Sequence, residues 1–183
     1  KVDKLLVGGA MAFTFLKAQG LNVGKSLCEE EMLDTARKIM QKAKDKNVQF
    51  VLPVDAICAA AAAADAEFTT CSIKEIPTDQ MGLDIGPATI TLFSEALKGV
   101  KTIVWNGPLG MFELASFSKG TFALAVVVAN SGALSIIGGG DTETAIKQAG
   151  QNTKMSYIST GGGAFLELLE GKTLPGIAAL DKC

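Results

Sequence analysis

The chain has 183 residues, 48% hydrophobic and 20% charged, with 17 basic and 19 acidic side chains and a net charge of −2. These are values of an ordinary globular protein long enough to bury a substantial core. Without a basic excess there is no nucleic-acid surface to expect, no apolar run reaches the length of a membrane span, and the absence of histidine removes Ser-His-Asp triads, Cys-His pairs and His-ligated metal centres.

In chain order, Leu5-Leu6-Val7 is a short apolar run ending at Gly8-Gly9, and residues 11–19 read as a helix. Residues 29–46 read as a second helix, with Met32, Leu33, Ala36, Ile39, Met40 and Ala43 at helical spacing. Its acidic start and lysine-rich end suit the helix dipole. Phe50-Val51-Leu52 is a buried strand stopped by Pro53, the alanine run 59–64 suggests a surface helix without a role, and 68–72 is a candidate strand. Residues 87–98 form a helix with proline in its first turn. Strand 102–105 runs into Asn106-Gly107-Pro108, and 117–130 is a strongly apolar helix. Strand 134–137 ends in Gly138-Gly139-Gly140-Asp141-Thr142, strand 155–158 ends in Ser159-Thr160-Gly161-Gly162-Gly163, and the last helix begins at Ala164.

Short strands alternating with helices predict an α/β fold, a parallel sheet with helices on both faces. Such sheets bind ligands at the carboxyl ends of their strands. Gly8-Gly9, Asn106-Gly107 and the two glycine triplets all fall at such ends. A glycine turn followed by a helix can cradle a phosphate, because bare N–H groups and the positive end of the helix dipole point at the anion. The bland alternative is a sharp strand-to-helix turn. Asp141 suits Mg²⁺ and Thr142 a phosphate, but both are also ordinary N-cap residues. Asn106 can bond a phosphate or sugar, and Glu113 can accept from ribose hydroxyls or be merely solvated. Leu109, Met111 and Phe112 offer apolar surface to a flat base. Residues 20–26 imitate a P-loop but have three residues between the glycines where the motif needs four, and they follow a helix. Cys28, Cys58, Cys71 and Cys183 contain no C-x-x-C pair, which favours free thiols in a reduced compartment.

Several runs, in order, resemble phosphoglycerate kinases: residues 8–17, Leu52-Pro53-Val54-Asp55, Met81 to Pro87, Val104 to Pro108 with Gly110, Phe112 and Glu113, Ile137 to Thr142, Ser159 to Ala164, and the stretches Leu166 to Lys172 and Leu174-Pro175-Gly176. The resemblance implies the C-terminal, nucleotide-binding lobe of a glycolytic kinase, over 1–173, with a tail at 174–183 that packs on an N-terminal lobe in that family. It implies a three-layer Rossmann-like sheet, here lacking its first strand and that strand's nucleotide-binding lysines. Carried over by motif, Gly9, Ala10, Gly82 and Leu83 would line the adenine pocket. Ala10 stands where the family has a third glycine. Asn106 and Pro108 would follow the ribose and α-phosphate, Glu113 the ribose hydroxyls, and Met111 the base. Gly139, Gly140, Asp141 and Thr142 would hold the β-phosphate and its Mg²⁺, with Asp141 as metal ligand. Gly161, Gly162 and Gly163 would face the transferring phosphoryl group, forming with Asp141 the expected catalytic set. The expected partners are ADP or ATP, with the phosphoglycerate substrate on the N-terminal lobe, and no nucleic acid or membrane. The full-length family member is expected to be a cytoplasmic monomer, with a plastid or other organelle as the alternative location. The chain alone is expected to be inactive. The competing reading is an interaction module that keeps the fold without its ligand. A dehydrogenase-like dinucleotide protein is disfavoured because no G-x-G-x-x-G run occurs.

Overall fold

The computed structural model describes residues 2–159 and 161–180. Its elements are β1 (Lys4–Leu6), α1 (Gly9–Ala18), α2 (Leu33–Asp45), β2 (Gln49–Val51), β3 (Asp55–Ala59), β4 (Phe68–Ser72), β5 (Met81–Ile85), α3 (Pro87–Ala96), β6 (Thr102–Asn106), α4 (Lys119–Ala129), β7 (Leu134–Gly138), α5 (Gly140–Gln148), β8 (Tyr157–Ser159), α6 (Gly162–Glu170) and α7 (Pro175–Leu180). The strand expected at 68–72 forms with those bounds, and those at 5–7, 50–52, 102–105, 134–137 and 155–158 form with shifted ends. The helix expected over 29–46 begins as a tight turn at Glu30–Met32 before α2.

The α/β expectation holds, with parallel sheets flanked by helices. β1 pairs with β2, and β6, β7 and β8 pair in that order, all parallel. Between them in sequence lies an antiparallel sheet of order β4-β3-β5, which the alternation pattern does not announce. Its strands β3 and β5 each carry a buried aspartate, Asp55 and Asp84, and the apolar part of β3, Ala56–Ala59, runs on into the alanine stretch. The alanine run is not a helix. Ala59 ends β3 with no exposed surface, and residues 60–67 are turns and bends. Intrinsic alanine propensity is weak beside the pairing of β3 with two neighbours, and the run is too short to hold a helix alone.

The two parallel sheets share one core. Leu6 and Val51 from the first meet Ile103, Trp105 and Ile137 from the second, with Phe93 of α3 and Leu124 and Val128 of α4 completing it. β1 and β6 are not hydrogen-bonded to each other, yet their carboxyl ends abut. A Cβ on Gly8 would lie 2.5 Å from Leu109 Cδ2, and one on Gly9 2.7 Å from the Pro108 carbonyl oxygen. A second cluster packs Phe13 and Leu16 of α1 on Cys58 and Ala56 of β3. A third seats α1 on α2, where the Phe15 and Phe50 rings lie 5.1 Å apart. No helix among the described residues is long and apolar enough to cross a membrane.

Candidate functional site

The register of the second parallel sheet places Asn106 beside Gly138 and Gly138 beside Ser159. The two glycine triplets and the Asn106 turn therefore sit in one row at one rim. Gly139 N–H donates to the Ser159 carbonyl at 3.0 Å. A Cβ on Gly162 would lie 3.0 Å from Gly139 Cα, and one on Gly138 would strike the Phe165 ring. Gly139 has φ of 95°, a left-handed value that glycine adopts without strain. Helices α5 and α6 start at Gly140 and Gly162, so the unpaired N–H groups of two first turns converge on the same place. Gly140, Asp141, Gly161 and Gly163 are exposed there, and nothing stands within 4 Å of the Cβ position of Gly140 or Gly163.

Thr142 is 1% exposed. Its hydroxyl oxygen accepts the Gly107 N–H at 2.8 Å and so ties the start of α5 to the Asn106–Pro108 turn. The Trp105 indole N–H donates to the Gly107 carbonyl at 2.7 Å, fixing the same turn from below. Asp141 sits in the first turn of α5 with its carboxylate in solvent. Among the described residues no three His, Cys, Asp or Glu side chains cluster as a metal cage. A single exposed hard-oxygen ligand fits an Mg²⁺ that keeps waters and phosphate oxygens as its other ligands.

On the other side of the 106–113 run lies a cavity of about 490 Å³, lined by Gly9, Ala10, Gly82, Leu83, Pro108 and Met111 among others. All six were expected to meet a base or its sugar. That volume lies within the range of small-ligand sites. The fold brings them together through backbone ties. Met111 N–H donates to the Leu83 carbonyl at 2.7 Å, and Gly82 N–H donates to Ser26 Oγ at 2.9 Å. The latter puts the false P-loop to work as a brace behind β5. Gly9 has φ of 62°, and its bare Cα lets the turn close on Pro108. Glu113 is exposed and stands outside the residues that line this cavity.

Two carboxylates escaped sequence reasoning. Asp55 caps α3, accepting from Ala88 N–H at 2.9 Å, Thr89 N–H at 2.7 Å and Thr89 Oγ1–H at 2.6 Å. Asp84 accepts from Gly120 N–H at 2.7 Å and Ile85 N–H at 2.9 Å. Burial is the main influence on Asp84 and pushes its carboxyl up to about 7. Besides its place in the Leu52-Pro53-Val54-Asp55 run, the sequence signal for Asp55 was the Gly86-Pro87 helix start, which needs a cap from elsewhere. Ser159 lies at the rim, whereas Thr160 and residues 181–183, with Cys183, lie outside the described residues. Cys28, Cys58 and Cys71 are free thiols.

Fold and site together define an α/β protein of parallel sheets with a candidate ligand site along the carboxyl ends of its strands. Comparison narrows the class. A profile for phosphoglycerate kinase matches residues 1–172. The phosphoglycerate kinase of Geobacter metallireducens is 60% identical over 182 residues, covering 100% of this chain and 46% of the relative. That of Geotalea uraniireducens is 61% identical over 181 residues, covering 99% and 45%. The solved phosphoglycerate kinase of Coxiella burnetii superposes with a TM-score of 0.95 at 50% identity, over 100% of this chain and 46% of that one. The Pyrococcus horikoshii enzyme gives 0.81 at 30% identity, over 98% and 45%. The chain belongs to the phosphoglycerate kinase family, and it spans about half the length of the curated relatives it matches.

Proposed function

We propose that this chain is the nucleotide-binding lobe of a phosphoglycerate kinase. It holds ADP or ATP with the base in the cavity between Gly82–Leu83 and Pro108–Met111 and the phosphates on the glycine rim. The observation that carries the reading is the shared rim: the cavity and both triplets open at the carboxyl ends of the strands, joined by the single run 106–113.

In this reading Asn106 and Pro108 follow the sugar and α-phosphate, and Glu113, being exposed, reaches out to the ribose hydroxyls. Gly139, Gly140 and Thr142 hold the β-phosphate, while Gly161, Gly162 and Gly163 present their N–H groups to the phosphoryl group in transfer. Bound Mg²⁺ supplies charge neutralisation on the phosphates, and Asp141 is its protein ligand. The chain's own contribution is orientation and fixed positive dipoles, the terms that dominate phosphoryl transfer. The whole protein would exchange a phosphoryl group between 1,3-bisphosphoglycerate and ADP, giving 3-phosphoglycerate and ATP. The lobe that holds phosphoglycerate is not part of this chain in that reading, so residues 1–173 bind nucleotide without turnover and 174–183 form the tail that meets the other lobe.

Trp105 is the only tryptophan and sits beside Asn106. Its emission is expected to change on titration with MgADP, saturably and at sub-millimolar to millimolar concentration. A folded chain whose emission is indifferent to millimolar MgADP sinks the proposal. The rival reading, an interaction module, draws on the unpaired edges of β1 and β6, since open edges invite association. Light scattering separates the two: a monomer that titrates with nucleotide removes the rival.

A further inference from the structure

Asp84 is given no nucleotide contact above, yet it is 4% exposed, sits on β5 directly after Leu83 and belongs to the lining of the base cavity. Its Oδ2 accepts from the Gly120 N–H in the first turn of α4, and its Oδ1 from Ile85 N–H. It is also walled in. A Cβ on Gly110 would lie 2.2 Å from Oδ1, and one on Gly120 2.4 Å from it. Both glycines are therefore the surfaces against which the carboxylate rests. The adjacent tie from Met111 N–H to the Leu83 carbonyl runs from the same strand to the same loop.

We propose that Asp84 is a positioning residue: it clasps residues 107–117 and the start of α4 onto β5, and thereby holds Leu83, Pro108 and Met111 at the spacing a flat base needs. This rests on the nucleotide reading of the cavity. The clasp requires an acid because a carboxylate offers acceptors only, whereas an amide would turn an NH₂ toward one of the two N–H groups. The α4 dipole adds attraction for negative charge at Gly120.

The clasp senses pH. Burial, the leading cause, raises the Asp84 carboxyl to about 7 against the opposing pull of its two backbone bonds. The charged groups on elements packed around it are Lys119 at the start of α4, Glu113 in the loop, Asp55 on β3 and Lys17 on α1; the shift itself comes from burial and those two bonds. Protonation removes the negative charge and leaves one oxygen as a hydroxyl, a weaker acceptor, so both bonds lose their charge assistance and the clasp loosens. Base affinity therefore weakens as pH falls through neutrality.

The probe is adenosine, which has no phosphate to titrate, followed by Trp105 emission from pH 6 to 8 on the full chain and on Asp84→Asn. The unsubstituted chain is expected to bind adenosine about two- to tenfold more weakly at pH 6 than at pH 8, the weakening of charge-assisted bonds to neutral ones. Asp84→Asn is expected to bind weakly and with a flat profile. A flat profile in the unsubstituted chain, the opposite slope, or the same slope in Asp84→Asn overturns the clasp. A ligand-free arm measures the protection factor of the Gly120 amide by hydrogen exchange. That factor should drop in Asp84→Asn, and unchanged protection again overturns the clasp. If neither protein responds to adenosine or ADP, the nucleotide reading fails and the clasp is decided by Gly120 alone. If Asp84→Asn does not fold, the pH series on the unsubstituted chain decides.

Discussion

The two halves of the site are built from opposite materials. The base-side cavity is framed by buried groups from several distant segments: Asp55 reaches α3, Asp84 reaches α4, and Ser26 reaches β5. The glycine rim is mostly bare backbone, with Gly140 and Gly163 facing empty space. A pocket for a flat apolar group has to be held open by packing. A seat for an anion has only to leave N–H groups unpaired. Stability should therefore reside on the base side, and phosphate affinity on the rim.

The largest expected departure comes from pH. The Asp84 carboxyl is raised from 3.8 to about 7 in the folded chain. An acid with a raised folded value binds more protons folded than unfolded, so its contribution is fully present below about pH 4 and is lost as pH rises to about 7. That window spans up to ~4 kcal/mol. Urea unfolding from pH 4 to 8 on the original and on Asp84→Asn isolates it, because the other carboxylates are common to both. Equal slopes in the two proteins would remove this part of the contrast.

Asp55→Ala comes next. It leaves two backbone N–H groups at the start of α3 without their acceptor, and should cost about 3 kcal/mol in unfolding free energy. A loss below about 1 kcal/mol would mean that water replaces the carboxylate and that the base side is less sealed than described.

Gly163→Ala sharpens the contrast from the other side. Its Cβ would meet nothing within 4 Å. Thermal stability should stay within about 0.5 kcal/mol of the original, while MgADP affinity falls and adenosine affinity does not. A drop in both affinities would tie the rim to the cavity more tightly than the geometry implies.

The smallest effect is chemical. Cys58 is wholly buried on β3, and burial first, with contact from Cys71 second, pushes its thiol up to about 12. Alkylation at neutral pH should spare Cys58 and modify the half-buried Cys71, as peptide mapping would read.

What the sequence disclosed follows the same division. The rim was legible because its chemistry is local: an apolar run, then glycines, then a helix, as at Ile137 to Thr142. β6 and β7 came within a residue for the same reason. Beyond the apolar surface at Leu109 and Met111, the base side was legible only through the resemblance, since its working groups pair across long separations. Asp55 meets Thr89, 34 residues on, and Asp84 meets Gly120, 36 residues on. No window along the chain contains both partners, so neither aspartate announces its role and β3 and β5 went unassigned. The alanine run failed for a related reason. Nothing near Cys58 and Ala59 announces that β4 and β5 will enclose them. Thr142 reads as a phosphate donor or a cap, and its bond to Gly107 shows a tie between two turns that neither motif contains.

The near-contact between Gly162 and Gly139 has a mechanical consequence. With Phe165 lodged over Gly138, the first turn of α6 rests directly on the turn that starts α5. Any tug on the C-terminal helices, from a neighbouring domain or from a truncation, is delivered straight to the seat meant for the phosphates, with no flexible side chain in between to absorb it.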